Sequence, residues 1–454
     1  MNIKNIVEHQ KMFFMTGATR PVNFRTNALL ELKKSIERNE HLIETALKSD
    51  LNKTPFETYM TEIGIVMEEI NFHLKHINSW MKNRKVRTPL AQFHSKSFIS
   101  PEPYGVVLIM SPWNYPLQLC LEPLIGAISA GNCAVIKPSA YAPETSSVIN
   151  KIISETFPPE YITVVEGGRE QNKSLLKEKF DYIFFTGSVS VGKIVMKAAA
   201  ENLTPITLEL GGKSPAIVTK DSNIKIAARR IAFGKVLNSG QTCVAPDYLL
   251  VHKNIEKQFL GEYKKAIYEF FPNNDYSNMP CIINQKHFQR LTKLVNGEKI
   301  YMGGSLDEKN LFIEPTVLTD IKPDSAIMQE EIFGPILPVI TYSNIHECIG
   351  VISSRPKPLA LYLFTESKEM EKTILNSCSF GGGCINDTVI HTASTYLGFG
   401  GVGNSGIGSY HGKLSFDTFT HYRSIVKKYS WLDIPIRYHP YKEKNYKLIR
   451  SLMK

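Results

Sequence analysis

The first eighty residues carry apolar side chains at the spacing of amphipathic helices. Leu29, Leu32 and Ile36 recur every three or four positions among charged residues, and residues 60–82 continue in the same manner. Side chains at this spacing share one face of a helix and can pack together against a core. The sequence therefore predicts that the chain opens with amphipathic helices.

From Tyr104 onward, short apolar runs alternate with helical patterns. The first series has apolar runs at 106–110, 134–137, 162–165 and 182–185, and helical patterns near 118–129 and 144–157. The second series, after Glu209, has apolar runs at 216–219 and 248–252, and helical patterns near 223–238 and 254–271. This alternation is typical of parallel sheets with crossover helices. Two α/β domains in tandem are therefore predicted, with a shared interface where ligands commonly bind.

Two segments fit neither series. They are residues 83–103, which are rich in Lys, Arg, Ser and Pro, and residues 418–426, a run with β propensity. Because neither belongs to the predicted α/β core, we expect them to form a small arm that protrudes from it.

Composition excludes several classes of protein. The chain has 454 residues, of which 43% are hydrophobic and 21% charged, so it is long enough for two or three domains. No uninterrupted apolar run approaches the roughly 18 residues of a membrane-spanning helix, and Lys4, Glu8 and Lys11 interrupt the region of a secretory signal. The seven cysteines contain no CxxC pair, which argues against a disulfide framework and a metal site. We expect a cytoplasmic protein with reduced thiols.

The positive charge is concentrated at the C-terminus. The chain has a net charge of +10, of which residues 421–454 carry +7. A nucleic-acid-binding protein more often carries its basic residues over the folded body, so we expect no nucleic-acid partner. Tyr and Trp side chains are interleaved with the basic residues. Two interpretations stay open, namely weak attachment to an anionic membrane and a solvated tail packed on a dimer.

Two glycine patterns are candidates for phosphate binding. Gly401, Gly403 and Gly406 match GxGxxG, but six glycines crowd residues 398–408 and Ser-Tyr-His-Gly follows. The motif needs a strand before it and a helix after it, because the helix amides hold the pyrophosphate. We therefore interpret this stretch as a backbone turn packed close to another element. GSVSVG at 187–192 does have that context, although its spacing alone also fits an ordinary turn.

Cys243 is a candidate nucleophile. The other six cysteines are expected to be buried, inert thiols. Cys243 differs because it lies in GQTCVAP, among small and polar residues, where a thiol can be partly exposed and its thiolate stabilised. This context alone does not exclude a structural thiol.

Glu209 and Asn114 fit further catalytic roles. Glu209 lies between two leucines and before a glycine pair, where partial desolvation would raise its pKa towards that of a general base. Asn114 lies in PWNYP after an apolar run, at the edge where open α/β sheets bind ligands. Its proline and aromatic neighbours would fix the direction of its amide, as an oxyanion donor requires. A solvated carboxylate and a turn-forming asparagine are the structural alternatives.

Seven motifs in this order resemble those of the aldehyde dehydrogenase superfamily across nearly the whole chain. They are PWNYP at 112–116, GNCAVIKPS at 131–139, FFTGSVSVG at 184–192, LELGGKSP at 208–215, GQTCVAPDY at 240–248, EEIFGP at 330–335 and FGGVGNSG at 399–406. The set is most similar to the shorter, class 3-like branch of fatty- and aromatic-aldehyde dehydrogenases, and to bacterial carotenoid-aldehyde dehydrogenases. The resemblance implies an α/β fold of aldehyde dehydrogenase type, with a Rossmann-type cofactor domain, an α/β catalytic domain and a small β oligomerisation arm.

The resemblance also implies NAD(P)-dependent oxidation of an aldehyde to its carboxylic acid. Cys243 would attack the carbonyl carbon and form a thiohemiacetal, which releases a hydride more readily than the planar aldehyde does. Asn114 and the backbone N–H of Cys243 would hold the developing oxyanion. Glu209 would activate the water that hydrolyses the thioester left after hydride transfer.

The cofactor implied by the resemblance is NAD or NADP, and no metal is implied. The residues that would bind the cofactor are Trp113, Lys137, Gly187, Ser188, Gly192, Glu331 and Phe333. Gly187 and Ser188 would approach it at the turn, where Gly192 opens the helix. Glu331 would hold the nicotinamide ribose with Phe333 beside the ring, and Lys137 would reach the adenosine ribose.

The resemblance further implies a domain organisation and a homodimer. The cofactor-binding domain would comprise residues 1–82 and 104–208, the catalytic domain 209–390, the oligomerisation arm 83–103 and 413–435, and the basic tail 436–454. A homodimer joined through the arm is expected.

The substrate is expected to be an apolar aldehyde. Tyr115 and Leu119 would line its entrance, and the motifs contain no basic cluster that would suit a phosphorylated aldehyde. Aliphatic, aromatic and polyene aldehydes, including carotenoid aldehydes, therefore fit. A peripheral contact of the basic tail with a membrane would suit lipid-derived aldehydes.

Two alternative functions stay open. A CoA-acylating aldehyde dehydrogenase would share Cys243 but needs no base for water, so Glu209 favours hydrolysis. A non-catalytic binding protein on the same fold would not need Cys243, Glu209 and Asn114 together.

The cofactor motif departs from its relatives at one position that predicts cofactor choice. KPSE of relatives reads KPSA here, with Ala140 in place of the acidic residue. That carboxylate would bind the 2′-hydroxyl of NAD and repel the 2′-phosphate of NADP. Without it, we expect the protein to use both cofactors. Measuring kcat/KM with each checks this, and an NAD preference above about 10³-fold would contradict it.

Overall fold

Helices and strands alternate through residues 2–453, which the computed structural model describes. Within that range the α-helices are α1 Ile3–Met15, α2 Val22–Arg38, α3 Glu40–Leu51, α4 Pro55–Thr58, α5 Gly64–Trp80, α6 Gln118–Ala130, α7 Pro143–Thr156, α8 Arg169–Lys177, α9 Val189–Glu201, α10 Ile224–Val236, α11 Glu256–Phe270, α12 Gln285–Val295, α13 Ile345–Ser353, α14 Lys368–Ser377, α15 Lys413–Thr418 and α16 Glu443–Leu452. A π-helix, Tyr59–Ile63, joins α4 to α5. None of these described helices is both long and apolar enough to span a bilayer.

The strands follow the same chain order. They are β1 Arg84–Val86, β2 Ser95–Pro103, β3 Val106–Met110, β4 Cys133–Lys137, β5 Ile162–Val164, β6 Tyr182–Thr186, β7 Ile206–Glu209, β8 Pro215–Val218, β9 Tyr248–His252, β10 Lys299–Met302, β11 Leu306–Asp307, β12 Phe312–Ile313, β13 Thr316–Thr319, β14 Ile336–Tyr342, β15 Ala360–Phe364, β16 Gly382–Ile385, β17 Gly406–Ile407 and β18 Thr420–Lys428. Each apolar run predicted from the sequence forms one of these strands, although Val165 and Thr219 lie one residue beyond β5 and β8.

The N-terminal amphipathic pattern forms two helices rather than one. Leu29, Leu32 and Ile36 are fully buried on α2, as their spacing predicts. The helix stops at Asn39, whose side-chain amide donates to the carbonyl of Ser35 at 2.9 Å. An asparagine that bonds the backbone in this way competes with helix continuation, so α3 begins as a separate helix.

The first large sheet has the strand order β17-β7-β6-β3-β4-β5. Strands β7 to β5 are parallel, and β17 runs antiparallel to β7. Every residue of β3, β4 and β6 is buried, as expected where helices cover both faces of a parallel sheet. The chain passes from β3 to β4 on one side and later adds β6 on the other. The loops after β3 and β6 therefore diverge and leave a crevice at their carboxyl ends.

The second large sheet has the order β10-β13-β14-β9-β8-β15-β16. It is parallel except for β10, which pairs antiparallel with β13. A core that includes Ile217, Leu250 and Leu363 covers one of its faces. The two parallel sheets with their helices confirm the predicted α/β class.

A third sheet joins the two segments that fitted neither series. β18 pairs with β2 along its whole length, from Thr420 opposite Pro103 to Lys428 opposite Ser95, and β1 flanks β2 on the other side. Most of β18 is exposed. The part that this sheet plays in oligomerisation stays a prediction, as do the domain boundaries.

The glycine-rich stretch 398–408 forms the tight turn that its composition predicts. Its strand β17 pairs with β7, with Gly406 opposite Glu209. A Cβ atom on Gly401 would collide with the backbone of Ser405, and one on Gly406 with the carbonyl of Leu208. The stretch is thus packed against the end of β7 and does not precede a helix that could hold a phosphate.

Candidate active site

A cavity of about 180 Å³ lies at the carboxyl ends of β3, β6 and β7, facing the second sheet. Its walls contain most of the residues selected from the sequence. Those residues are Trp113, Asn114, Leu119, Gly187, Ser188, Glu209, Cys243, Glu331 and Phe333. Five separate motifs therefore meet in one place.

A second cavity, of about 160 Å³, lies on the other side of Cys243. Its lining is mostly apolar and comprises Met60, Thr61, Ile65, Tyr115, Gln118, Leu119, Phe233, Leu237, Thr242, Cys243, Val244, Val389, Ile390, Thr392, Ala393, Phe399, Tyr410 and His411. Cys243, Leu119 and Phe399 border both cavities. Each cavity also reaches the surface, the first at Ser188 and the second at Phe233 and Ile390. The thiol can be approached from two sides.

The loop that carries Cys243 has an unusual backbone. After α10, Asn238 and Ser239 adopt left-handed conformations at φ of 48° and 54°, and Gly240 follows at 69°. Only a few per cent of non-glycine residues do so, and they commonly mark functional loops. The side-chain amide of Gln241 then donates to the carbonyls of Asn238 at 3.1 Å and Cys281 at 2.9 Å. The position of Cys243 is fixed by these contacts.

The thiol of Cys243 is protonated at neutral pH in this environment. Burial raises its pKa to about 12, the carboxylates of Glu331 and Glu209 add to the rise, and the backbone N–H groups of Cys243 and Val244 partly offset it. The predicted partial exposure of Cys243 is confirmed, since its side chain is half-buried. The predicted stabilisation of its thiolate is wrong, because the pKa is raised. The small neighbours in sequence allow the loop to be packed inside, where a charge is disfavoured. A nearby base is therefore required.

Glu209 has the properties of such a base. It ends β7, is 2% exposed, and neither of its carboxylate oxygens has a hydrogen-bond partner among the described residues. Burial raises the pKa of its carboxyl well above the ordinary value, in the direction that the sequence predicts. A carboxyl group free of partners and facing a cavity can exchange its proton with a reactant.

The amide of Asn114 points in a defined direction. Its Nδ2 donates to the carbonyl of Gln241 at 3.0 Å, and its own backbone carbonyl accepts from Lys53 at 3.1 Å and from Asn238 at 2.8 Å. An amide nitrogen carries two hydrogens, so one N–H is left for the cavity that Asn114 shares with Cys243. This geometry suits an oxyanion donor.

The remaining residues of the first cavity suit a dinucleotide. Ser188 caps the N-terminus of α9, whose free amides favour phosphate. The Oε1 atom of Glu331 is buried without a hydrogen-bond partner among residues 2–453, and a Cβ atom on Gly211 would collide with that carboxylate. Trp113 packs edge-on against Phe333 with ring centroids 5.4 Å apart. A helix N-terminus, an orphaned acceptor for hydroxyls and an aromatic wall together match NAD(P).

Two predicted cofactor residues do not line this cavity. Lys137 lies in β4, where burial lowers its pKa to about 8 and its Nζ donates to the carbonyl of Pro138 at 2.6 Å. Gly192 lies in α9, where a Cβ atom would stand 2.7 Å from the side chain of Leu210. Gly192 therefore permits close packing of α9 on the loop after β7. The binding roles of both residues stay predictions.

Several lining residues were not selected from the sequence. They are Pro112, Thr186, Leu210, Gly211, His287, Leu359 and Phe399. All of them except His287 and Leu359 lie in the quoted motifs, so their position in a motif could have identified them as residues of the site. His287 lies on α12 and contacts Trp113, with ring centroids 5.3 Å apart, and burial lowers its pKa to about 4. Its neighbours in sequence are those of an ordinary amphipathic helix.

The chain is similar to known proteins over almost its whole length. The model of the aldehyde dehydrogenase family matches residues 1–425. A 4,4'-diaponeurosporen-aldehyde dehydrogenase of Staphylococcus aureus is 50% identical over 99% of this chain and 100% of its own, and a dimeric, NADP-preferring aldehyde dehydrogenase of Mus musculus is 43% identical over 94% of each. A solved substrate-bound AldH of Staphylococcus aureus superposes with a TM-score of 0.98 at 49% identity, covering 100% of both chains. The chain therefore belongs to the aldehyde dehydrogenase family and is an NAD(P)-dependent enzyme that oxidises aldehydes.

Proposed function

We propose that the enzyme oxidises an apolar aldehyde to its carboxylic acid through a covalent cysteine adduct. Its catalytic residues would be Cys243, Glu209 and Asn114. The observation that carries the proposal is the position of Cys243 between two cavities. The first cavity holds the dinucleotide-binding residues together with Glu209 and Asn114. The second is apolar and suits the aldehyde.

The reaction begins with the thiol of Cys243. Its sulfur forms a bond to the carbonyl carbon, and its proton passes to the carboxylate of Glu209, whose raised pKa makes it a stronger base and which borders the same cavity. The carbonyl oxygen becomes negatively charged. The free N–H of Asn114 and the backbone N–H of Cys243 donate to it, and such donors each contribute about 10² to 10³ in rate.

The cofactor is held by groups of this chain that differ in chemistry. The N-terminus of α9, with Gly187 and Ser188, would bind the phosphates of the cofactor. Glu331 would accept hydrogen bonds from the ribose hydroxyls. Trp113 and Phe333 would pack beside the nicotinamide ring. NAD(P), when bound, supplies the acceptor for the hydride that leaves the adduct carbon. Glu331 is suited to its part because its buried acceptor lacks a partner among the described residues.

Hydrolysis completes the cycle at the same carbon. Once Glu209 has released the thiol proton to solvent, it takes a proton from water, and the water oxygen bonds to the thioester carbon. The carbon–sulfur bond then breaks, the carboxylic acid is released, and the Cys243 thiolate takes the proton back from Glu209. A carboxyl group without partners beside the thioester favours this outcome over acyl transfer to CoA, which needs no base for water.

Replacing Glu209 by Gln tests the role of its carboxylate as the base. An amide in place of the carboxylate cannot take a proton from the thiol or from water, so we expect the first equivalent of reduced cofactor per site to form slowly, without a rapid burst, followed by steady-state turnover at least about 10²-fold slower than in the unaltered enzyme. Stopped-flow absorbance of the reduced cofactor measures both phases. Glu201→Gln, at the exposed end of α9, is the matched control and should behave as the unaltered enzyme. Full steady-state turnover by the Glu209→Gln enzyme would refute the assignment.

The substrate class is proposed from the second cavity. Met60, Leu119, Phe233 and Val389 make its wall largely apolar. The Staphylococcus aureus relative carries the name of a polyene aldehyde, which agrees with such a wall. Long aliphatic, aromatic and polyene aldehydes therefore suit it best.

A series of straight-chain aldehydes tests this preference. Each added CH₂ that enters the cavity should gain about 0.8 kcal/mol, so kcat/KM should rise about fourfold per carbon until the cavity is filled. Chain-terminal hydroxyaldehydes of equal length are the control and should lose most of the gain. A flat profile, or a preference for glyceraldehyde 3-phosphate, would contradict an apolar site.

We also propose that the enzyme is a homodimer joined through the sheet β1-β2-β18. β18 is a nine-residue edge strand with mostly exposed residues. An edge of that length presents unpaired N–H and C=O groups that a second chain can pair with. The name of the mouse relative includes a dimeric state, which supports the proposal.

The basic tail is proposed to make a weak, peripheral membrane contact. Tyr441 is 71% exposed and Tyr446 57% exposed, and α16 buries none of its residues. Aromatic side chains next to Lys and Arg are typical of segments that bind the membrane interface.

Vesicle co-sedimentation tests the tail. The protein should pellet with phosphatidylserine vesicles at low ionic strength and be released at about 1 M salt, where the Debye length falls to about 3 Å. Neutral phosphatidylcholine vesicles are the control. Absence from the phosphatidylserine pellet at low salt would leave the charge without a membrane role.

A further inference from the structure

We propose that Lys53 and Glu62 form a positioning pair that fixes the amide of Asn114, and with it the oxyanion site. The proposal rests on the role of Asn114 proposed above. Both side chains are completely buried, and Lys53 Nζ lies 2.6 Å from Glu62 Oε1. Neither residue belongs to a sheet or to a motif of the site. Both belong to the N-terminal helical region. Lys53 lies in the loop between α3 and α4, and Glu62 lies in the π-helix.

The ammonium group of Lys53 reaches the loop that carries the oxyanion donor. Its Nζ donates to the backbone carbonyl of Asn114 at 3.1 Å and lies 4.1 Å from the ring centre of Tyr115. An ammonium has three N–H donors, and Glu62, Asn114 and the face of Tyr115 are its partners here. Lys53 therefore sets the orientation of the peptide that follows Asn114.

Glu62 holds the other end of the same loop. Its Oε2 accepts from the backbone N–H groups of Leu117 at 2.9 Å and Gln118 at 3.0 Å, where α6 begins. Leu117, the N-cap residue of α6, makes no capping hydrogen bond with its own side chain. Glu62 thus supplies the cap from a distant helix. π-helical turns are frequent at functional sites, and this one places Glu62 within reach.

The Cys243 loop also contacts the Asn114 peptide. Asn238 Nδ2 donates to the Asn114 carbonyl at 2.8 Å, and Tyr115 shares a 2.5 Å hydrogen bond with Thr242. The donor amide and the nucleophile are therefore tied to one polar network, of which Lys53 and Glu62 are the outer support. Burying a charge pair yields little net stability compared with apolar residues of the same size. An apolar pair would, however, leave the Asn114 carbonyl and the α6 amides without these partners.

A double-variant cycle tests the proposal. We expect Lys53→Met to lower kcat/KM about tenfold or more, through the acylation rate rather than KM, and Asn114→Ala to lower it by about 10² to 10³. If Lys53 acts through Asn114, then Lys53→Met/Asn114→Ala should be no worse than Asn114→Ala within about twofold. A residue needed only for stability would lower kcat/KM by the same factor in both backgrounds.

A second variant separates positioning from folding. Lys53→Met alone leaves the charge of Glu62 buried without its partner, which destabilises the fold. Lys53→Met/Glu62→Gln removes both charges, while the oxygen of the new amide can still accept from α6. We expect its thermal midpoint to recover but its kcat/KM to stay low. Arg25→Met is the matched control, because Arg25 is a buried cation that donates to the carbonyls of Thr19 and Ser129 at the far end of α6. It should lower the midpoint and leave kcat/KM unchanged.

The outcomes distinguish this proposal from the function on which it rests. Equal losses from Lys53→Met in both backgrounds, or full activity in Lys53→Met/Glu62→Gln, would overturn the positioning role alone. An Asn114→Ala enzyme as active as the unaltered one would overturn the oxyanion role, and the positioning role with it.

Discussion

Two titratable side chains that line one cavity, both with a pKa raised by burial, are the constraint on which this molecule depends. Both the thiol of Cys243 and the carboxyl of Glu209 have their pKa raised by burial, and Glu209 has no hydrogen-bond partner for either oxygen among the described residues. An unpartnered buried polar group costs about 1 to 3 kcal/mol, and a folded domain has only about 5 to 15 kcal/mol of net stability. The surrounding structure must therefore hold both side chains firmly, although it gives the carboxyl of Glu209 no partner among the described residues.

The two large sheets provide that support. Glu209 is fixed because it ends a strand that pairs with β6 on one side and with β17 on the other. Cys243 is fixed by a loop whose left-handed residues are held by the side chains of Gln241 and Asn238. The reactive groups thus depend on rigid backbone, and their own side chains stay free for the reactants.

The sequence was sufficient to predict the buried strands and most of the selected residues that line the first cavity, for physical reasons. Fully buried strands such as β3 and β6 read as uninterrupted apolar runs, and Glu209 stands out as a carboxylate between leucines. The electrostatics of Cys243 could not be read in the same way, because its burial depends on the fold of the whole loop and on segments distant in sequence. The burial of Lys53 and Glu62 could not be predicted from the sequence either. A lysine and a glutamate in an amphipathic helical region are normally solvated, and only the tertiary fold shows that both are buried.

The position of Cys243 at the boundary of both cavities has a consequence for the order of events during turnover. The first cavity opens at Ser188 and the second at Phe233 and Ile390. In the mechanism proposed above, the two reactants therefore arrive and depart by separate routes. An acyl group attached to the sulfur occupies only the route on its own side. The spent dinucleotide can then leave by the other opening, and the vacated space admits water to the thioester beside Glu209. The two openings thus allow the dinucleotide to leave before hydrolysis, while the acyl group stays covalently attached to Cys243.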